Sequence, residues 1–134
     1  MFTSGKYNVL VSEYAKKHFM KSFIKKYKTW DNTFIEIYNM LSHIDRFLLS
    51  TKAEKIHSCD IGYIAKCEFK IVGSNESPKT SGNRVIVFVD EERLESYILL
   101  IYAKTDIGSH NETSWWQQKI KDNHTEIACL FSGL

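Results

Sequence analysis

Apolar positions are densest between Arg84 and Lys104, RVIVFVDEERLESYILLIYAK, and nowhere else in the chain are they so continuous. Two stretches, Arg84 to Val89 and Ser96 to Lys104, are β-branched, aliphatic or aromatic at nearly every position, with the charged turn Asp90, Glu91, Glu92 and Arg93 between them. That is the pattern of an antiparallel hairpin. Because the runs do not alternate, both strands are expected in the middle of a sheet with little solvent on either side. Folding the hairpin about Glu92 and Arg93 brings Arg84 and Lys104 together beside Tyr102, at a rim where an anion could be held.

The other segments follow different periods. Tyr7 to Val11 reads as a short strand ended by Ser12, whose hydroxyl can cap a following helix. In that helix Tyr14, Phe19, Phe23, Ile24 and Tyr27 recur at steps of three, four and five. Trp30-Asp31 marks a break, and Asp31 is the expected cap of a second helix carrying Phe34, Ile37, Tyr38, Leu41, Ile44 and Leu48 on one face, so the two are expected to pack side by side. Lys55 to Ser58 fits a short strand or a loop. From Tyr63 to Val72 alternation is clean, with Tyr63, Ala65, Cys67, Phe69 and Ile71 on one face and Lys66, Glu68 and Lys70 on the other. Gly73 to Asn83 holds the sole proline, Pro78, and reads as a long hairpin loop without the Walker spacing of phosphate-cradling loops. A last helix follows Asn111, with Trp116 and Ile120 on its core face and Trp115 and Lys119 beside them. The tail, with Ile127, Leu130 and Phe131, either caps the core or waits for a partner.

Length and composition narrow the picture. A chain of 134 residues fits one domain. Hydrophobic and charged fractions of 43% and 25% are those of a globular chain and argue against disorder. No apolar run approaches the ~20 residues of a membrane helix, and no basic-then-apolar leader opens the chain, so a cytoplasmic protein without membrane contact is the expectation. Cys59, Cys67 and Cys129 lack metal-ligand spacing and read as reduced thiols; no metal or small-molecule cofactor is expected. The net charge of +2 hides an asymmetry: residues 1 to 56 carry ten Lys/Arg against five Asp/Glu, and the remainder eight against eleven. Much of the excess is Lys16, Lys17, Lys21, Lys25, Lys26 and Lys28 on the first helix, which reads as a solvated face.

The order strand, two helices, three antiparallel strands and terminal helix resembles the RelE superfamily of bacterial toxins. YNVLVSEYAKK resembles that family's opening strand and lysine-rich helix, and NRVIVFVDEERLESYILLIYAKTDI is similar to its HigB-like branch. The resemblance implies an α+β, RelE-like β-α-α-β-β-β-α fold: a small, mostly antiparallel sheet with two N-terminal helices packed on one face and a C-terminal helix. It covers about residues 6 to 122 of a single domain, leaving 123 to 134 as an extension.

Such proteins cut messenger RNA, often on the ribosome, without a metal, and are held by a cognate antitoxin. The chemistry needs a group to take the 2′-hydroxyl proton, cations to stabilise the phosphorane and a donor for the leaving 5′-oxygen. By resemblance Arg84 stabilises the phosphate, Lys66 and Lys70 occupy the family's lysine strand, and Lys104 closes the last strand to bind phosphate. Glu68 serves as general base or only lowers the charge density of its face. Lys79 and Tyr102 are further candidates for RNA contact. A basic or aromatic group found beyond that lysine in relatives is replaced here by Thr105, Asp106 and Ile107, so its role is vacant or passes to His110 or Trp115. Two other readings stand beside the endoribonuclease: a ParE-like inhibitor of DNA gyrase that catalyses nothing, and a degenerate toxin-fold interaction module. The basic front half and Trp115 are the expected contact surfaces for an antitoxin.

Overall fold

The computed structural model describes residues 5–134. Five strands, β1 (Asn8–Val11), β2 (Ala53–Ser58), β3 (Gly62–Phe69), β4 (Asn83–Asp90) and β5 (Glu95–Tyr102), form one sheet in the order β1-β5-β4-β3-β2. β1 lies parallel to β5, and every other neighbouring pair is antiparallel. The expected central hairpin is β4–β5, in the interior of the sheet, with Arg84 opposite Tyr102. Its turn is closed by Asp90, whose Oδ1 accepts from the amides of Glu92 at 3.0 Å and Arg93 at 2.9 Å. The segment left open between strand and loop is β2, which adds a fifth strand to the expected order.

Register assigns the two faces. Tyr63, Ala65, Cys67 and Phe69 of β3 share a face with Val85, Val87 and Val89 of β4. On this side lies the long helix Trp30–Ser42, tied down by Ser96 Oγ, which donates to Leu41 O at 2.8 Å. Phe23, Trp30 and Phe69 pack ring to ring there, the first pair stacked at 4.8 Å. Lys66, Ile86, Phe88, Tyr97 and Tyr102 point to the opposite face. The helix Glu112–Asn123 and the tail cover it: Trp115 meets Tyr102 edge-on at 5.0 Å, and Phe131 meets Phe88 at 5.9 Å. The sheet is therefore a middle layer, and the expectation of half-solvated β3 holds only at Lys66 and Glu68.

The N-terminal helices do not share one face as expected. The first runs as Glu13–Ala15, a π-helical segment Lys16–Met20, and Lys21–Lys26. β1 stops at Val11, so beyond Ile98 this helix lies beside β5 in place of a strand. Its Phe23 reaches the Trp30 side, whereas Tyr14 and Phe19 meet His124 and Trp115 of the other layer at 5.6 and 6.0 Å. The five-residue step from Tyr14 to Phe19 coincides with the π segment, whose wider turn accommodates such a spacing. The second helix begins at Trp30, so Asp31 lies in its first turn and does not cap it; the cap position is Thr29, whose Oγ1 donates to Val72 O at 2.8 Å and makes no side-chain cap.

β3 ends at Phe69, three residues earlier than expected. Val72 N donates to Thr33 Oγ1 at 2.9 Å, so the chain leaves the ladder there to join the second helix. Two bulges interrupt the sheet, one between Ile86 and Val87 opposite β5 and one between Lys55 and His57 in β2. The tail caps the core: Phe131 and His124 are buried, and His124 Nε2 donates to Leu99 O at 2.9 Å.

Phe131→Ala is expected to lower the unfolding free energy by about 3 kcal/mol, the range for a large aromatic removed from a packed site, as read by denaturant titration; an unchanged midpoint would mean that the tail is dispensable. Burial pushes the His124 imidazole below its ordinary value, outweighing the Leu99 carbonyl that favours the charged form. A base whose folded pKa is depressed contributes stability that is complete above its unfolded value, about 6.5, and fades as pH falls below it. Between pH 7.5 and 5 the melting temperature should fall further in the native protein than in His124→Gln, and equal falls would contradict this assignment.

Candidate active site

Arg84, the second residue of β4, lies on the face shared with Lys66 and Glu68, directly across from Glu68 on one side and Tyr102 on the other. Its guanidinium is partly committed. Nη1 donates to Asn83 O at 2.8 Å and Pro78 O at 3.2 Å, and Nη2 to Lys79 O at 3.0 Å. Three of its five N–H groups thus hold the carbonyls around a single helical turn, Pro78–Ser81. Ser77 and Thr80 cap that turn reciprocally, and Gly82 ends it at φ 75°. The stretch expected to be a plain hairpin loop is therefore a folded device. Gly82 is required twice over, since a Cβ there would both be strained by the positive φ and come within 2.8 Å of Lys104 Cβ.

Between this turn and the start of the last long helix lies a cleft of about 550 Å³ lined by Lys79, Thr80, Gly82, Arg84, Lys104, Ile107, Gly108, His110 and Glu112. Lys104 is placed by its own helical turn, Lys104–Ile107, in which Asp106 Oδ2 accepts from Ala103 N at 2.8 Å. β5 ends at Tyr102, so Lys104 leaves the sheet and stands exposed at the cleft rim. Glu112 opens the helix Glu112–Asn123, capped by Asn111, whose Oδ1 accepts from Ser114 N at 3.0 Å. Its Oε2 accepts from Tyr102 Oη at 2.8 Å and lies 3.9 Å from Lys66 Nζ. Burial above all, and then the carboxylate it donates to, holds the Tyr102 phenol well above its usual range, so it remains the donor of this bond. Lys79, Arg84, Lys104 and His110 line the cleft together with a single carboxylate, Glu112, a composition suited to a phosphate diester.

Five expected site residues lie elsewhere or serve otherwise. Lys70 falls beyond the end of β3 and, with Glu68, lines a separate cavity of about 370 Å³ beside Thr33, Glu36 and Lys52. Neither lines the cleft of Arg84: Lys70 lies where the strand has ended and the chain has turned toward the second helix, and Glu68, although paired with Arg84 across the ladder, lines the other cavity. Tyr102 is fully buried and cannot stack on a base. Trp115 is half-buried between Phe19 and Tyr102, so it is a packing residue and not an open platform. Lys66 shares the face of Arg84 but reaches the cleft only through Glu112. Glu112 went unnoticed in the sequence. The only hint was its place after Asn111, an N-cap that would aim a first-turn side chain back at the strand ends. Among the described residues no group of three or more His, Cys, Asp or Glu is placed to hold a metal ion, and no helix is long and apolar enough to cross a membrane.

No protein-family model matches the sequence, and no curated protein matches it. The backbone does find a counterpart. A chain in the crystal structure of the archaeal RelE–RelB complex from Pyrococcus horikoshii OT3 superimposes with a TM-score of 0.54 at 14% identity, over 78% of this chain and 99% of that one. The fold is RelE-like. At that identity the likeness concerns the course of the backbone, and the resemblance read from the opening strand and central hairpin holds at that level. On this RelE-like sheet the cleft sits at the end of β4 and β5 where Asn83 begins one strand and Tyr102 ends the other.

Removing the guanidinium should free the turn it holds. In Arg84→Ala, amides 79 to 83 are expected to exchange at least tenfold faster, and stability to fall by about 1–3 kcal/mol from unpaired carbonyls; unchanged exchange would show that Ser77, Thr80 and Gly82 suffice.

Proposed function

We propose that this chain is the toxin of a type II toxin–antitoxin pair, of the HigB/RelE-like kind, and that its cleft is the site of a metal-independent endoribonuclease acting on messenger RNA. The observation that carries this reading is the convergence of Lys79, Arg84, Lys104 and His110 on one cleft of a RelE-like sheet. The substrate is a single strand passing over the Pro78–Ser81 turn, engaged on the translating ribosome in the cytoplasm, and a cognate antitoxin covers the cleft between episodes. Lys79 and Lys104 bind flanking phosphates as mobile point charges. The two N–H groups that Arg84 does not spend on backbone carbonyls meet the scissile phosphate, where charge builds as the 2′-oxygen attacks. His110, exposed at the rim, donates the proton to the departing 5′-oxygen.

A second reading has its own support. Arg84 spends most of its donors on the fold and Tyr102 is closed to bases, which is what a ParE-like contact inhibitor of gyrase or a retired interaction module would tolerate.

Inducing the chain in growing bacteria and mapping RNA 5′-ends separates the readings. New ends within translated messages are expected; intact messages with DNA damage would favour the gyrase inhibitor. Lys104→Ala, which leaves the Arg84 clamp alone, should slow cleavage about 10- to 100-fold and reduce the salt dependence of RNA binding by roughly 0.7 in log–log slope, the share of one phosphate on a single strand. His110→Ala should slow cleavage about 10²- to 10⁴-fold with binding retained.

A further inference from the structure

Glu112 is out of place in a cleft built only to hold phosphate, since a carboxylate there repels the ligand that the surrounding cations attract. The chain nevertheless fixes it with care. One oxygen, Oε2, accepts from the buried Tyr102 hydroxyl and faces Lys66, while Oε1 has no hydrogen-bond partner among the described residues. Tyr102 is itself immobilised at the end of β5 and backed by Trp115, so the carboxylate is anchored from the sheet as well as from its own helix. Glu68 is not the carboxylate of this cleft: it lines the other cavity, whereas Glu112 lines the cleft with Arg84 and Lys104.

Resting on the endoribonuclease reading, we propose that Glu112 is the proton acceptor of this site, with Tyr102 and Lys66 as the residues that position it. The 2′-O–H bond breaks and its proton passes to Oε1 of Glu112. The oxygen's electron pair forms a new bond to phosphorus, the bond from phosphorus to the 5′-oxygen breaks, and the 5′-oxygen takes a proton from the His110 imidazolium. The products are a 2′,3′-cyclic phosphate and a 5′-hydroxyl, and solvent returns the two side chains to their starting protonation. Tyr102 holds Oε2 so that Oε1 alone is offered, and its raised pKa keeps it from competing as an acceptor.

Glu112→Gln preserves the shape and can still accept from Tyr102, but cannot take a proton. The full chain is added to a reconstituted translation reaction carrying a defined message, and cleavage is compared with binding to the same message bearing a 2′-deoxynucleotide at the mapped position. Expected are 2′,3′-cyclic phosphate ends from the native protein, a fall in cleavage of 10²-fold or more in Glu112→Gln, and binding unchanged within about threefold. Tyr102→Phe, which keeps the carboxylate but frees its rotation, should give an intermediate loss of about tenfold. Cleavage by Glu112→Gln within threefold of native overturns the assignment while leaving the endoribonuclease standing. Parallel loss of cleavage, binding and melting temperature makes Glu112 a purely structural strut and overturns it as well. A native protein that leaves the message intact removes the endoribonuclease reading and this one with it.

Discussion

Val85, Val87 and Val89 on one side of β4, and Ile86 and Phe88 on the other, leave that strand without a face that tolerates water, and Ile98 to Tyr102 place β5 under the same constraint. Each face must be covered by a separate layer. The helix Trp30–Ser42 takes one and the C-terminal helix with its tail the other, which is why the last dozen residues are a working part of the core. Burying such a pair on both sides is worth roughly 1.5–3 kcal/mol per large side chain, far more than any surface ion pair here can supply. The two ion pairs found among the described residues, Lys16–Glu13 and Lys66–Glu112, belong to local placement more than to stability.

The same constraint makes the cleft. Where the buried pair ends, at Arg84 and Tyr102, the covering layer must also end, and polar groups emerge beside an apolar floor. Arg84 links the two regimes by gripping the carbonyls of the Pro78–Ser81 turn while also lining the cleft. Its side chain is therefore both scaffold and candidate ligand group. Any change at this position acts on the shape of the cleft as well as on its charge, so exposed neighbours such as Lys104 report on chemistry more cleanly.

Much of this was legible in the residues. The unbroken apolar runs of β4 and β5 announced a doubly covered hairpin, and the alternation from Tyr63 to Phe69 announced which side chains of β3 face the second helix. Three features were hidden, each for a physical reason. β3 ends early because Thr29 and Thr33 draw Val72 away, and hydroxyl-to-backbone bonds between distant segments leave no periodic trace. The first helix straddles the sheet edge because β1 is too short to fill it, a matter of strand length against strand length that no single window contains. Glu112 came into view only with Tyr102 and Lys66 around it, since an acidic residue after an N-cap is ordinary in any helix.

The two borders of the sheet are not alike, and both are blunt. β1 offers four residues before the chain turns into a helix, and β2 is kinked by the bulge between Lys55 and His57 and carries the charges of Glu54 and Lys55. An incoming ribbon from another copy finds neither a long nor a flat template, an edge geometry that disfavours growth of the sheet from one molecule to the next.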